Sequence, residues 1–547
     1  MRRGHPVGLH RSAHDDLIGP GSLSGGDRRS SRFNGVRRSG WPRWVGRVVE
    51  ELRRSLGELL GLSLTRPRAG PNERNPVTDP AGTDNHFDLI VIGGGPAGYG
   101  AALYAASAGL NVAVVEKDKV GGTCLHRGCI PAKELLETAH VYRSVAHAGD
   151  FGVEVGAPTL RWGTTIARKT QVVDGLFNGL SGLLKHRKVS VFAGTGTLSA
   201  DRSVTVTGSA GDVATLTADA VILAAGSVPR TIPGFEVGGP ILTSDEVFEL
   251  TDRPQRVAVI GGGAIGCEFA SMLADLGSEV TILEALPQIL PGVDKDVVAT
   301  VLRSFKGRGI DVRTGVKVNG HTPNGTGTAL AIEGSDPLEV DAVIVSVGRR
   351  PLSESLGLEG SGVVVDDRGF VQVDELCRTS VEGVWAVGDL VATPGLAHVG
   401  YAEAILVIKQ LLGELAVPVD YSKVAWCIYC QPEVAFVGLS EQAARDAGFD
   451  VVVSKHRWAG NSRALIIGDT EGVVKVIAEK LPDGTPGRVL GVHMSGPWVT
   501  EQLGQGYLAV NWEATVDDIA HFIQPHPSLS ESFGETVLSL TGRSLNS

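Results

Sequence analysis

Asp88-Leu89-Ile90-Val91-Ile92-Gly93-Gly94-Gly95-Pro96-Ala97-Gly98 reads as a short buried strand that runs through a glycine turn into a helix. The alanine-rich helix continues to about Gly109, Val112 to Val115 form a second strand, and Glu116 ends it. Strand, Gly-x-Gly-x-x-Gly, helix, strand and terminal acid in this order make a dinucleotide-binding fingerprint. Gly93 serves the turn, Gly95 the approach of a pyrophosphate, Gly98 the packing of helix on strand, and Glu116 a ribose hydroxyl.

The pattern repeats. Val257-Ala258-Val259-Ile260 leads into Gly261-Gly262-Gly263-Ala264-Ile265-Gly266, a helix through Gly277 and a strand from Glu279 to Leu283 that ends in Glu284. Each acid stands 23 residues after the first glycine of its copy. Two copies imply two dinucleotides and chemistry that passes electrons between them. Glu284 accepts from a free 2′-hydroxyl and repels a 2′-phosphate, and Ala285-Leu286-Pro287-Gln288 supplies no Arg, so NAD is expected over NADP. Gly261, Gly263, Gly266 and Glu284 therefore form the expected NAD site, with Val318 and Gly348.

Directly after Glu116 comes Gly121-Gly122-Thr123-Cys124-Leu125-His126-Arg127-Gly128-Cys129-Ile130-Pro131-Ala132-Lys133. The glycines allow close backbone approach, and Pro131 marks a helix start. Cys129 then falls at a helix N-terminus, where free N–H groups and the helix dipole lower a thiol pKa. With Cys124 five positions away across a small loop, this is read as a redox pair; the plain alternative is two structural cysteines. Its place after the first fingerprint assigns the flavin, FAD, to that site, with Gly122, Thr123, Gly196 and Gly226 among its neighbours.

Thr217 to Gly226 reads as a strand returning to the first sheet, with Val340 to Gly348 as its partner. Val384-Trp385-Ala386-Val387-Gly388-Asp389 is a strand ending in an acid placed for the ribityl chain of a flavin. From Tyr421 an alternating pattern (Trp426, Ile428, Val434, Phe436) points to an antiparallel sheet with helices and a dimer interface. Cys427 and Cys430 lie within it on strand-like flanks, facing opposite ways, and are read as structural, as are Cys267 and Cys377. Near the end, His526-Pro527-Ser528-Leu529-Ser530-Glu531 supplies a base in a rigid turn and a carboxylate to orient it. His521 competes for that role but lacks the turn and the acid.

Composition bounds the rest. A chain of 547 residues with 73 glycines holds three or four domains, and a net charge of −11 argues against nucleic acid. Six cysteines are no disulfide framework, so a reducing cytoplasm is expected. No apolar run is long enough to span a membrane, and no metal site is expected. Residues 1–85 hold 15 Arg and no Lys, a balance of +6. Most of this extension is too polar to fold alone; Trp44, Val45, Val48, Leu52, Leu56 and Leu59 mark one amphipathic helix. It is read as dispensable or untranslated, with Val77 an example of a later start, against the alternative of a membrane-surface or organellar address.

The segments GGTCLHRGCIPAK, GGGAIGCE, AVGD and HPSLSE, in this order, resemble the flavin-dependent disulfide reductases, and within them the dihydrolipoamide dehydrogenase family of 2-oxo-acid dehydrogenase complexes. The likeness covers about residues 86–547. It implies an α/β fold with two Rossmann-like domains and a C-terminal α+β dimerisation domain. The expected divisions are 86–230 (FAD), 231–351 (NAD), 352–420 (central, returning to FAD) and 421–547 (interface). It further implies a homodimer in which His526 and Glu531 of one chain complete the site built on Cys124 and Cys129 of the other. Cys124 would exchange with substrate sulfur, Cys129 would face the flavin, and Lys133 would approach the flavin and pair with Glu268. The implied partner is a lipoyl-carrying acyltransferase or carrier protein. Ala132 departs from a common Ser or Thr, Ala225 from a common Thr, and Gln524 from the usual turn. Glutathione- or mycothiol-type reductases share the fold, the former usually with NADP, which Glu284 opposes. Mercuric or large thioredoxin reductases would need a thiol pair beyond Cys430. A docking subunit acting through the N-terminal extension is the alternative from another class.

Overall fold

The apolar run after Asn85 extends as β1 (His86–Ile92), with Leu89, Ile90 and Val91 wholly buried. Burial on both faces suits the centre of a parallel sheet. In this computed structural model, which describes residues 85–546, the helix expected at residues 44–59 lies outside the described residues. After β1 comes α1 (Pro96–Ser107), with proline in its first turn, and then β2 (Val112–Glu116), parallel to β1. On the other edge of β1 lies Val213–Leu223, followed by Val384–Ala386, both parallel. Ser190–Ala193 flanks β2. The chain therefore leaves this sheet, builds a second one, and returns to it near Asp389.

The second sheet follows the same plan. Arg256–Ile260 pairs in parallel with Glu279–Glu284 on one side and Ala342–Val345 on the other, with Asp311–Thr314 and Ile241–Leu242 outermost. Thr217–Gly226 and Val340–Gly348 are thus not partners, a correction to the sequence reading. Each lies beside the first strand of its own sheet, where both its edges are filled. What pairs is the chain beyond the turns at Gly226 and Gly348, Ser227–Pro229 with Arg349–Pro351 in antiparallel register.

From Trp426 the chain forms a five-stranded antiparallel sheet in the order Trp426–Ile428, Glu433–Gly438, Pro486–Gly496, Val473–Lys480, Val451–Arg457. Val437, Val476 and Val492 of this sheet pack with Phe533 and Val537 of the last helix, Glu531–Leu540. The expected class, two dinucleotide-binding units and a C-terminal α+β unit, is what the chain adopts. A buried ion cluster ties the last sheet to the second unit. Lys475, with no exposed surface, reaches Asp294 at 2.9 Å, Asp296 at 2.7 Å and Glu441 at 2.8 Å. Such a cation is stable out of water only because its three donor hydrogens all find carboxylates.

Candidate active site

The cysteine segment is seated directly on the first fingerprint. Gly121 donates its N–H to the Gly94 carbonyl at 2.7 Å, and a Cβ on Gly122 would lie 2.6 Å from the Gly95 Cα. Between the cysteines the sequence reading expected a loop, but the chain forms a short helix, α2 (Gly122–Arg127). Gly121 takes the turn before it in a left-handed conformation and Gly128 breaks the chain after it, so the residues between are free to coil. α3 (Cys129–Ala146) starts at the second cysteine. Cys124 and Cys129 form a disulfide with their Cα atoms 4.6 Å apart. On reduction, the Cys129 sulfur is left at the N-terminal end of an 18-residue helix, where a thiolate is favoured.

The two glycine motifs repeat each other closely. A Cβ on Gly98 would sit 1.8 Å from the Gly93 carbonyl oxygen, and one on Gly266 2.0 Å from that of Gly261. These contacts close helix on strand. At Gly95 and Gly263, by contrast, a Cβ would meet nothing within 4 Å among the described residues. Each of those glycines caps its helix and faces open space, the arrangement in which helix N–H groups hold a phosphate. Glu116 accepts from the N–H groups of Gly94 (2.7 Å) and Asp118 (2.8 Å); Glu284 accepts from those of Gly262 (2.6 Å) and Leu286 (2.7 Å). Both acids are thereby held at the ends of their strands, beside the open glycines.

One cavity of about 980 Å³ joins the two motifs and the disulfide. Its wall includes Gly93, Gly95, Glu116, Gly122, Thr123, Cys124, Cys129, Lys133, Gly196, Gly226 and Asp389 on the first side. On the second it includes Gly261, Gly263, Glu268, Glu284, Val318 and Gly348. Gly98 and Gly266 stand behind the wall, as packing residues do. The donor set fits two dinucleotides: two open helix N-termini for pyrophosphates, and two fixed acids for ribose hydroxyls.

Lys133 Nζ lies 2.9 and 2.8 Å from the two oxygens of Glu268, and stands 4.8 Å from the ring centre of Tyr429. Glu268 also accepts the Tyr429 N–H at 2.9 Å. Sequence reasoning missed the groups that hold Asp389. Ser227 donates its hydroxyl to Asp389 at 2.5 Å, while Arg349 donates to the Ser227 hydroxyl and carbonyl, each at 2.7 Å. Burial pushes the Arg349 pKa below its ordinary value. The only local signal for this trio was the position of Ser227 and Arg349 just past the two strand-ending glycine turns.

His526 and Glu531 come together as expected: Nδ1 stands 2.7 Å from Glu531 Oε1, and the Ser528 N–H holds Oε2 at 2.7 Å. Glu531 begins the last helix, which brings it back over the turn. Within one chain the pair is not part of the cavity wall, and the His526 side chain is 68% exposed. Cys427 and Cys430 are unpaired; Cys430 lies past the end of its strand, so strand alternation does not govern it. Burial pushes the Cys427 thiol up to about 11 and the Cys430 thiol to about 12.

Residues 87–404 match the family model for pyridine nucleotide-disulphide oxidoreductases, and residues 424–537 match the dimerisation domain of that family. A dihydrolipoyl dehydrogenase of Bacillus subtilis is 38% identical over 84% of this chain and 99% of its own length. One from Zymomonas mobilis is 39% identical over 84% of the chain and 99% of its own length. Among solved structures, LpdA of Mycobacterium tuberculosis superposes with a TM-score of 0.77 at 27% identity, covering 83% of this chain and 99% of that one. The HOCl-induced flavoprotein disulfide reductase RclA of Escherichia coli superposes with a TM-score of 0.75 at 28% identity, covering 82% of this chain and 99% of that one.

Proposed function

This chain belongs to the pyridine nucleotide-disulphide oxidoreductase family, and we propose that it oxidises protein-bound dihydrolipoyl groups to lipoyl with NAD as final acceptor; the relatives it matches are named dihydrolipoyl dehydrogenases. The observation that carries this reading is the meeting of a disulfide and two dinucleotide motifs in one cavity. The fixed Glu284 favours NAD over NADP, which sets the chain apart from NADP-dependent reductases of the same fold.

A substrate thiolate attacks the Cys124 sulfur, breaks the Cys124–Cys129 bond and releases Cys129 as thiolate. The second substrate thiolate then attacks the mixed disulfide, closing the lipoyl ring and releasing Cys124. Two electrons pass to the cysteines, and the protons leave the substrate through His526, whose ring is oriented by Glu531. The helix dipole at α3 favours the Cys129 thiolate. The Gly93–Gly98 motif, Glu116, Lys133 and Asp389 would hold FAD, and the Gly261–Gly266 motif, Glu268 and Glu284 would hold NAD; bound there, the two would supply two-electron acceptors for the reduced cysteines.

The divisions that accompany this reading are 86–230 for FAD, 231–351 for NAD, 352–420 for the return to the FAD unit and 421–547 for dimerisation. His526 stands outside the cavity of its own chain, so in the homodimer it serves the cysteines of the partner. The lipoyl group is carried by an acyltransferase or carrier protein of a 2-oxo-acid dehydrogenase complex in the cytoplasm.

The test is NAD-linked oxidation of free dihydrolipoamide by the purified protein, with NADP as control and Cys124→Ser and His526→Ala alongside. Turnover with NAD, little with NADP and a fall of about a hundredfold or more in His526→Ala are expected. An FAD-loaded dimer that leaves dihydrolipoamide untouched would remove the substrate assignment.

A further inference from the structure

Helix Ala397–Leu411 buries apolar residues along most of its length, yet one carboxylate, Glu403, is buried among them with no exposed surface. Gly400 lies one turn before it. A Cβ on Gly400 would come 3.0 Å from the Cβ of Ala97 in α1, and one on Gly388 would come 3.1 Å from the same atom. The two glycines let this helix, the Gly388–Asp389 turn and the start of α1 close on one another. From that face Glu403 Oε2 accepts the Gly388 N–H at 2.6 Å. Its Oε1 accepts the hydroxyls of Thr393 at 2.7 Å and Tyr421 at 2.9 Å. Among the described residues no cation pairs with it.

A carboxylate buried without a counter-ion is unfavourable unless its acceptors are used. Here they are, and only a carboxylate presents acceptors on both arms with no N–H to oppose that of Gly388. The same turn carries Asp389, whose own carboxylate is held from the other side by Ser227. We propose that Glu403 is a positioning residue for the flavin: by holding the Gly388 N–H it sets the backbone that presents Asp389 before the cofactor arrives. This rests on the reading of Asp389 as a flavin ligand. Pre-setting the turn removes an ordering cost from binding, so the effect is on cofactor retention rather than on the thiol chemistry.

The experiment follows release of FAD from the full-length holoenzyme dimer after dilution, by the rise of free-flavin fluorescence, together with the visible circular dichroism of the bound flavin. Glu403→Gln, Thr393→Val and Asp389→Ala are compared with the parent chain. Glu403→Gln is expected to release FAD faster by about tenfold or more, with altered visible dichroism but an unchanged far-ultraviolet spectrum and dimeric state. Thr393→Val removes one orienting donor and is expected to act in the same direction, by about two- to threefold. If Asp389→Ala speeds release while Glu403→Gln and Thr393→Val do not, the role of Glu403 is overturned. If Asp389→Ala also leaves release unchanged, the reading beneath it fails. Should Glu403→Gln not fold, Thr393→Val decides alone, and parental release overturns the proposal.

Discussion

Lys133 grips both oxygens of Glu268, at 2.9 and 2.8 Å, and so joins the helix that begins at Cys129 to the helix that follows the second glycine motif. The carboxylate is 8% exposed and the lysine 35% exposed. Lys133→Met leaves Glu268 with a single remaining donor among the described residues, the Tyr429 N–H. A loss of about 1–3 kcal/mol in unfolding free energy is expected, below that of a fully buried pair because the lysine is partly in water. Denaturant unfolding of Lys133→Met, Glu268→Gln and the double variant checks it, and the double variant should recover part of the loss.

On the proposed reading nicotinamide preference rests on Glu284, whose oxygens accept the Gly262 and Leu286 N–H groups. Glu284→Ala is expected to raise KM for NAD by about tenfold and to narrow the gap to NADP. The ratio of kcat/KM values for the two dinucleotides is the readout. An unchanged ratio would place discrimination elsewhere.

His493 lies buried in the C-terminal sheet, stacked on Phe436. Burial pushes its pKa down to about 4. The unfolded chain, with an ordinary histidine, binds the proton first. This contribution to stability is therefore fully present above about pH 6.5 and is lost as the pH falls toward 4, by on the order of 1–2 kcal/mol at pH 5. His493→Phe should flatten that slope. Denaturation midpoints of both proteins at pH 7 and pH 5 test it, and parallel slopes would refute it.

Thiol reactivity should divide the cysteines. Cys427 lines the cavity, but with its pKa near 11 only about one molecule in a thousand is thiolate at pH 8. After reduction, brief alkylation at pH 8 followed by peptide mass analysis is expected to label the Cys124–Cys129 pair ahead of Cys427 and Cys430. Labelling of Cys427 first would show that the thiolate at α3 is not favoured.

Much of the candidate site was legible because its parts are short-range. The glycine motifs, the thiol pair, and His526 with Glu531 five residues later each lie within one turn or one helix start. The Ser227–Asp389 contact spans 162 positions and Ser227–Arg349 spans 122, and no local pattern announces either. Glu403 had one faint signal, a lone acid on an apolar helix one turn after a glycine. The helix between the cysteines was missed because a glycine-flanked stretch of six residues has too little periodicity to separate coil from helix.

By itself, the sequence determined where backbone sterics and residue chemistry act within a few positions: the glycine turns, the helix that starts at Cys129, and the acids that end the strands. Only the tertiary structure decided which strands share a sheet, how Ser227–Pro229 crosses to Arg349–Pro351, and which buried polar groups meet. Those choices depend on burying both faces of each sheet and on pairing every polar group taken out of water, and these are conditions on the whole packed chain.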